Sequence, residues 1–251
     1  MTATKPGKQH KPKTAAVSVN AENSPKISAD PEAAFPIVGI GASAGGLAAF
    51  EAFFSGLPKD QETGIAFVLV QHLAPDHKSM LAELFQRYTT MPVFEVEDGM
   101  VVRPNCVYII TPNYDMAFMN GVLQLLEPTA PRGQRLPIDY FFQSLATDQR
   151  ERAIGIVLSG TASDGTQGVR AIKAEGGMVM AQNPESTEFD GMPNSAIASG
   201  LVDYILPPAE MPARLIAYAR HAFAKPRSTT VARQRSRASE NLCPATRPDR
   251  P

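Results

Sequence analysis

The chain has 251 residues, 43% of them hydrophobic, and its 24 Lys and Arg against 25 Asp and Glu leave a formal net charge of −1. That length holds one large or two small domains with a substantial core. The near-zero balance excludes a protein that grips nucleic acid electrostatically over its whole surface.

Residues 1–34 are rich in Lys, Pro, Ala and Ser and show no apolar periodicity, so a disordered tail is expected there. The organised chain starts with Ile37-Val38-Gly39-Ile40-Gly41-Ala42-Ser43-Ala44-Gly45-Gly46. An apolar run breaks into small residues and one hydroxyl, which reads as a buried strand, a tight turn and the start of a helix. Two chemistries compete for the turn. Gly39-x-Gly41-x-x-Ala44 fits the dinucleotide fingerprint G-x-G-x-x-G/A, while Gly41-Ala42-Ser43-Ala44-Gly45 fits a turn that presents a nucleophilic serine. A small-residue turn needed only for packing stands beside them.

Leu47 to Leu57 then reads as a helix with Leu47, Phe50, Phe53 and Phe54 on one face, ended by Gly56 and Pro58. Ile65 to Val70 is a continuous apolar run of strand length, followed at once by Gln71 and His72. Ser79 to Tyr88 reads as a helix with Met80, Leu81, Leu84 and Phe85 inward, and Met91 to Val96 and Cys106 to Thr111 as strands. Tyr114–Met119 and Val122–Glu127 flank Asn120-Gly121, a strong hairpin signal. Thr129 to Pro137 is a polar loop with Arg132 and Arg135, and Ile138 to Thr147 is a helix.

Ala153 to Leu158 is another apolar run and feeds Ser159-Gly160-Thr161-Ala162-Ser163-Asp164-Gly165. A helix over Gly168–Ala174, a short strand over Met178–Ala181, a loop to Pro193, a short helix over Asn194–Ser199, a strand over Val202–Leu206 and a helix over Pro208–Phe223 complete the pattern. The alternation predicts an α/β fold: a doubly wound, mostly parallel sheet with helices on both faces and an attached antiparallel β-hairpin. Residues 35–224 form the expected domain of about 190 residues. Residues 225–251, basic through Lys225 and six arginines, form a second expected tail.

Cys106 and Cys243 give neither a disulfide framework nor zinc spacing, and no metal or cofactor is expected. No stretch approaches the roughly 18 apolar residues of a membrane span, and no signal-peptide pattern is present. The cytoplasm is the expected compartment, with neither nucleic acid nor membrane insertion.

In a doubly wound sheet, ligands bind outside the carboxyl ends of the strands. Three predicted strand ends deliver Ser43, His72 and, a few residues on, Asp164. A hydroxyl needs a base to take its proton, and the base needs a partner to fix its tautomer and stabilise the imidazolium. Each residue also has a plainer reading. Ser43 suits a packed turn, His72 a hydrogen-bonded loop, and Asp164 an N-cap for the helix after it. Among the other histidines, His10 lies in the head, His77 opens a helix and His221 ends one. The dinucleotide reading weakens because no acidic residue ends the second strand.

The motifs Ile40–Gly46, Val70-Gln71-His72-Leu73, Glu97-Asp98-Gly99, Val157–Gly165 with Gly168, Ala181-Gln182-Asn183 and Gly191-Met192-Pro193 together resemble the catalytic domain of chemotaxis protein-glutamate methylesterases, the CheB type. The resemblance runs from about Pro36 to Ala222. It implies Ser43 as nucleophile, His72 as base and Asp164 as its partner, with Thr161 supplying a backbone oxyanion donor; the mechanism adds the N–H of Ala44. It also implies a methylated chemoreceptor cytoplasmic domain as partner, hydrolysis of its glutamate γ-methyl esters to carboxylate and methanol, and deamidation of receptor glutamines. Two residues depart from the family pattern: Ala44 replaces a common Thr, and Thr161 a usual Met. Only the head precedes Pro36, so no receiver domain is expected, and a methyltransferase or receiver partner would be a separate polypeptide. Two other functions stay open: a non-catalytic module of the same fold that binds receptor or methyltransferase, and a nucleotide-dependent oxidoreductase.

Overall fold

The structure is a computed structural model and describes residues 35–71, 80–131 and 133–223, apart from the side chains of Met80 and Leu81. Both expected tails, His72, His77 and Arg132 lie outside the described residues. In chain order the elements are β1 (Ile37–Ala42), α1 (Gly46–Ser55), β2 (Ala66–Gln71), α2 (Met80–Phe85), β3 (Val93–Glu95), β4 (Met100–Val101), β5 (Val107–Ile109), β6 (Asp115–Met119) and β7 (Val122–Leu126). They continue with α3 (Pro137–Gln149), β8 (Ala153–Val157), α4 (Thr166–Ala174), β9 (Met178–Gln182), α5 (Gly191–Ala198), β10 (Tyr204–Leu206) and α6 (Met211–Ala222).

Seven strands pair in the order β10-β9-β8-β1-β2-β5-β3, all parallel. The continuous apolar runs are the inner strands, which are covered on both faces. Strand β1 lies at the centre and is wholly buried. Its alternating residues divide the core. Val38, Ile40 and Ala42 pack with α1, Phe85 of α2, and α6, whereas Ile37 faces the side covered by α3, α4 and α5.

The first face is filled by aromatic rings. Phe50 and Phe85 meet edge to face at 5.4 Å, and Phe54 and Phe67 at 5.8 Å. The second face is packed more closely. A Cβ on Gly39 would lie 2.8 Å from Phe142, and one on Gly41 would run into Ile138. These two glycines sit inside β1, where α3 needs the room, and not in the turn after it. That placement removes the physical basis of the dinucleotide reading, in which glycines let the turn approach a pyrophosphate.

The hairpin forms as its Asn-Gly pair predicts. Asn120 and Gly121 take φ of 52° and 82°, the doubly left-handed turn that joins β6 and β7. A third strand, β4, pairs with β7 and makes the ribbon three-stranded.

Three details differ from expectation. Leu47 is exposed, because it lies in the first turn of α1, next to the end of β1, where there is no sheet left to cover it. Helix α5 starts at Gly191, with Pro193 inside its first turn, where a missing N–H leaves no helical bond unmade. The last helix is divided into a 3-10 turn over Pro208–Glu210 and α6 proper. No helix among the described residues is long and apolar enough to cross a membrane.

Candidate active site

Ser43 follows β1 directly. Its N–H donates to Ser159 O at 2.9 Å, and its carbonyl accepts the Gly46 N–H at 2.9 Å. Gly45 takes φ of 71° and caps α1, so the left-handed step falls on a residue without a Cβ while Ser43 stays outside the left-handed region. The turn is therefore not the strained elbow that places the serine itself in a disfavoured conformation. The Ser43 side chain is half-buried and has no hydrogen-bond partner among the described residues. The same holds for the N–H groups of Ala44 and Thr161.

The parallel register Gly41↔Val157 carries β8 to the same edge of the sheet. Gly160 then brings the following loop against Ser43: a Cβ there would meet the Met192 side chain and lie 3.0 Å from Ser43 Cβ. The Gly160 N–H donates to Phe189 O and its carbonyl accepts from Met192 N–H, both at 2.9 Å. Thr161 is exposed beside it. Ala162 adopts φ of 66°, a disfavoured conformation for a residue with a Cβ, and its carbonyl accepts the Ser195 hydroxyl at 3.3 Å.

Asp164 is buried, at 1% exposure. Its Oδ2 accepts the Ile138 N–H at 3.1 Å, and its Oδ1 accepts the N–H groups of Asp139 and Gly165 at 2.9 Å each. Ile138 and Asp139 lie in the first turn of α3, whose own N-cap, Leu136, offers no side-chain acceptor. Asp164 therefore caps α3 from a distant element, and the positive end of that helix suits a carboxylate. The plainer expectation is a cap for the helix that follows, but α4 is capped by Gly165 with no side-chain bond.

Asp139 extends the arrangement. It is buried, and its Oδ1 accepts the Gly168 N–H at 2.7 Å, which ties α3 to α4. Burial pushes its carboxyl above the ordinary carboxylate value; the Gly168 N–H opposes the rise and the nearby Asp164 charge adds to it. Asp115 is also pushed up, first by burial, against the pull of Arg135 and with the push of Asp164. Arg135 donates Nε–H to Ala130 O at 3.0 Å.

His72 lies outside the described residues. The residue before it, Gln71, pairs with Ala42, the residue before Ser43. His221 sits in the last turn of α6. Among the described residues no group of three or more His, Cys, Asp or Glu is gathered as a metal would need.

Sequence reasoning passed over Ser159 and Gln182. Both are buried polar residues, and they link the Ser43 turn to the ends of β8 and β9. A signal was present: Gln182 is a polar side chain closing the apolar run Met178–Ala181, a position where burial demands a partner.

The family model described as CheB methylesterase matches residues 38–215. A protein-glutamate methylesterase/protein-glutamine glutaminase of Maricaulis maris is 34% identical over 191 residues, covering 74% of this chain and 46% of that protein. Its namesake from Thermotoga maritima is 32% identical over 200 residues, covering 76% of this chain and 58% of that protein. The chain thus spans about half the length of these curated relatives. The crystal structure of the Thermotoga maritima CheB methylesterase catalytic domain superposes with a TM-score of 0.67 at 31% identity, over 73% of this chain and 98% of that one. With its parallel sheet, its serine turn and its capped aspartate accounted for, the chain belongs to the CheB methylesterase family.

Proposed function

We propose that the protein is a serine hydrolase that removes methyl groups from glutamate γ-methyl esters of a chemoreceptor cytoplasmic domain. The observation that carries this reading is the meeting of the two loops. The Ser43 turn is bonded to Ser159, and four residues beyond Gly160 the same loop delivers Asp164, pinned by three backbone N–H groups. The family's relatives support the substrate class through the name protein-glutamate methylesterase.

His72 takes the Ser43 proton as Oγ attacks the ester carbonyl. Asp164 holds the imidazole and stabilises its protonated form. The N–H groups of Ala44 and Thr161 take the developing oxyanion, and one such donor contributes about 3 kcal/mol. Imidazolium then protonates the departing methoxide, which leaves as methanol. Water, deprotonated by His72, attacks the acyl-enzyme and releases the glutamate carboxylate and free Ser43. With a glutamine side chain the same steps release ammonia.

The test is methanol release from methylated receptor membranes by wild type, Ser43→Ala and His72→Ala. Release by wild type alone supports the reading. Equal release by all three contradicts the mechanism, and no release by wild type, with receptor bound, favours a binding module.

A further inference from the structure

The turn that carries Ser43 is held from beneath by a closed polar network that the hydrolytic steps do not use. Ser159, 1% exposed, is bonded through every polar atom it has. Its carbonyl accepts the Ser43 N–H at 2.9 Å, and its N–H donates to Gln182 Oε1 at 2.9 Å. Its single hydroxyl proton goes to Ala44 O at 2.8 Å, so the Thr187 hydroxyl, 2.7 Å away, donates to it. Thr187 in turn accepts the Phe189 N–H at 3.1 Å. Gln182, 2% exposed, is fixed at its other end, where Nε2 donates to Ser186 O at 3.2 Å and Ser186 Oγ at 3.1 Å. The turn is seated directly on this group: a Cβ on Gly45 would lie 2.6 Å from Ser159 Oγ.

We infer that Ser159 and Gln182 are positioning residues, which set the Ser43 turn against the 160–162 loop and so fix the nucleophile relative to both proposed oxyanion donors. The inference rests on the hydrolase reading above. The physical case is that Ser159 grips the turn on both sides of Ser43's own peptide link to Ala44, once through the Ser43 N–H and once through the Ala44 carbonyl. Removing the hydroxyl leaves the second grip unmade and strands the Thr187 donor. The Ser43–Gly45 segment is then anchored to Ser159 through the Ser43 N–H alone, and its backbone can shift about that one bond, carrying Ser43 Oγ and the Ala44 N–H with it. Substrate bound elsewhere on the protein does not sense that shift, but the transition state does.

Four proteins decide it: wild type, Ser159→Ala, Ser159→Thr and Gln182→Met. The readouts are kcat and KM for methanol release, the rate of Ser43 modification by a fluorophosphonate, and the folded fraction by circular dichroism. Ser159→Ala and Gln182→Met should lower kcat and the modification rate in parallel, by roughly 10- to 100-fold, the scale of an ångström's misplacement. KM should stay within about 2-fold of wild type. Ser159→Thr, which keeps the hydroxyl, should recover most of the loss. Wild-type rates in both Ser159→Ala and Gln182→Met overturn the inference, as does a loss confined to KM or one that tracks the folded fraction. If wild type releases no methanol, the methylesterase reading fails by itself and the fluorophosphonate rates still decide the positioning role. A Ser43 inert to the reagent in wild type overturns both.

Discussion

The two faces of the central sheet do different work. On the α1 side, Phe50, Phe53, Phe54, Phe67 and Phe85 interlock around apolar strands and carry no polar side chain toward the chemistry. On the α3 side, helix and strand approach so closely that Gly39, Gly41, Gly155 and Gly168 have no room for a Cβ against Ile138, Phe141, Phe142 and Ile172. The first turn of that same α3 donates two N–H groups to Asp164. One face is a core that merely stabilises; the other is a core whose packing sets the position of a proposed catalytic carboxylate. Damage to the first should cost stability alone, whereas damage to the second should cost stability and chemistry together.

The largest effect is expected from Phe53→Ala, with a loss of about 3–5 kcal/mol in chemical denaturation and an unchanged kcat for the protein that remains folded. A fall in kcat at full folding would break the division between the faces. Gly41→Ala should come next. Its methyl meets Ile138, whose N–H bonds Asp164, so overpacking of about 1–3 kcal/mol should come with a reduced kcat. A stability loss with kcat intact would show that α3 shifts without carrying the carboxylate.

Asp139→Asn probes the α3 side through pH. The native carboxyl of Asp139 is raised above the ordinary 3.8, so its protonated form is the one folding favours. Its contribution to stability is complete below 3.8 and disappears as pH rises through the raised native value. The stability of Asp139→Asn relative to wild type should therefore rise across that window and level off above it, as read from denaturation midpoints at several pH values. A difference independent of pH would mean that the site does not desolvate this group. The smallest effect is expected from Ala162→Gly, which relieves a left-handed alanine and should gain at most about 1 kcal/mol.

Much of this was legible in the sequence because apolar runs and turn residues report local preference. The strand Ile37–Ala42, the Asn120-Gly121 hairpin and the order of the helices follow from pattern alone. Ser43 and Asp164 were found because a hydroxyl and a carboxylate after apolar runs mark strand ends. The reason Gly39 and Gly41 are glycines was not legible, since it depends on a helix about 100 residues away in the chain. The cap on α3 was equally hidden: Asp164 supplies it across 26 residues of sequence, and no local motif encodes such a bond. The polar end of the run Met178–Ala181 marks Gln182 as needing a partner but not which one, because Ser159 is brought to it by strand pairing.

Mapping the residue that reacts with a fluorophosphonate shows whether Ser43 is a nucleophile activated by His72. One adduct is expected, on the peptide containing Ser43, with a rate in His72→Ala lower by on the order of 100-fold or more. An adduct on another residue, or equal rates in wild type and His72→Ala, would contradict it.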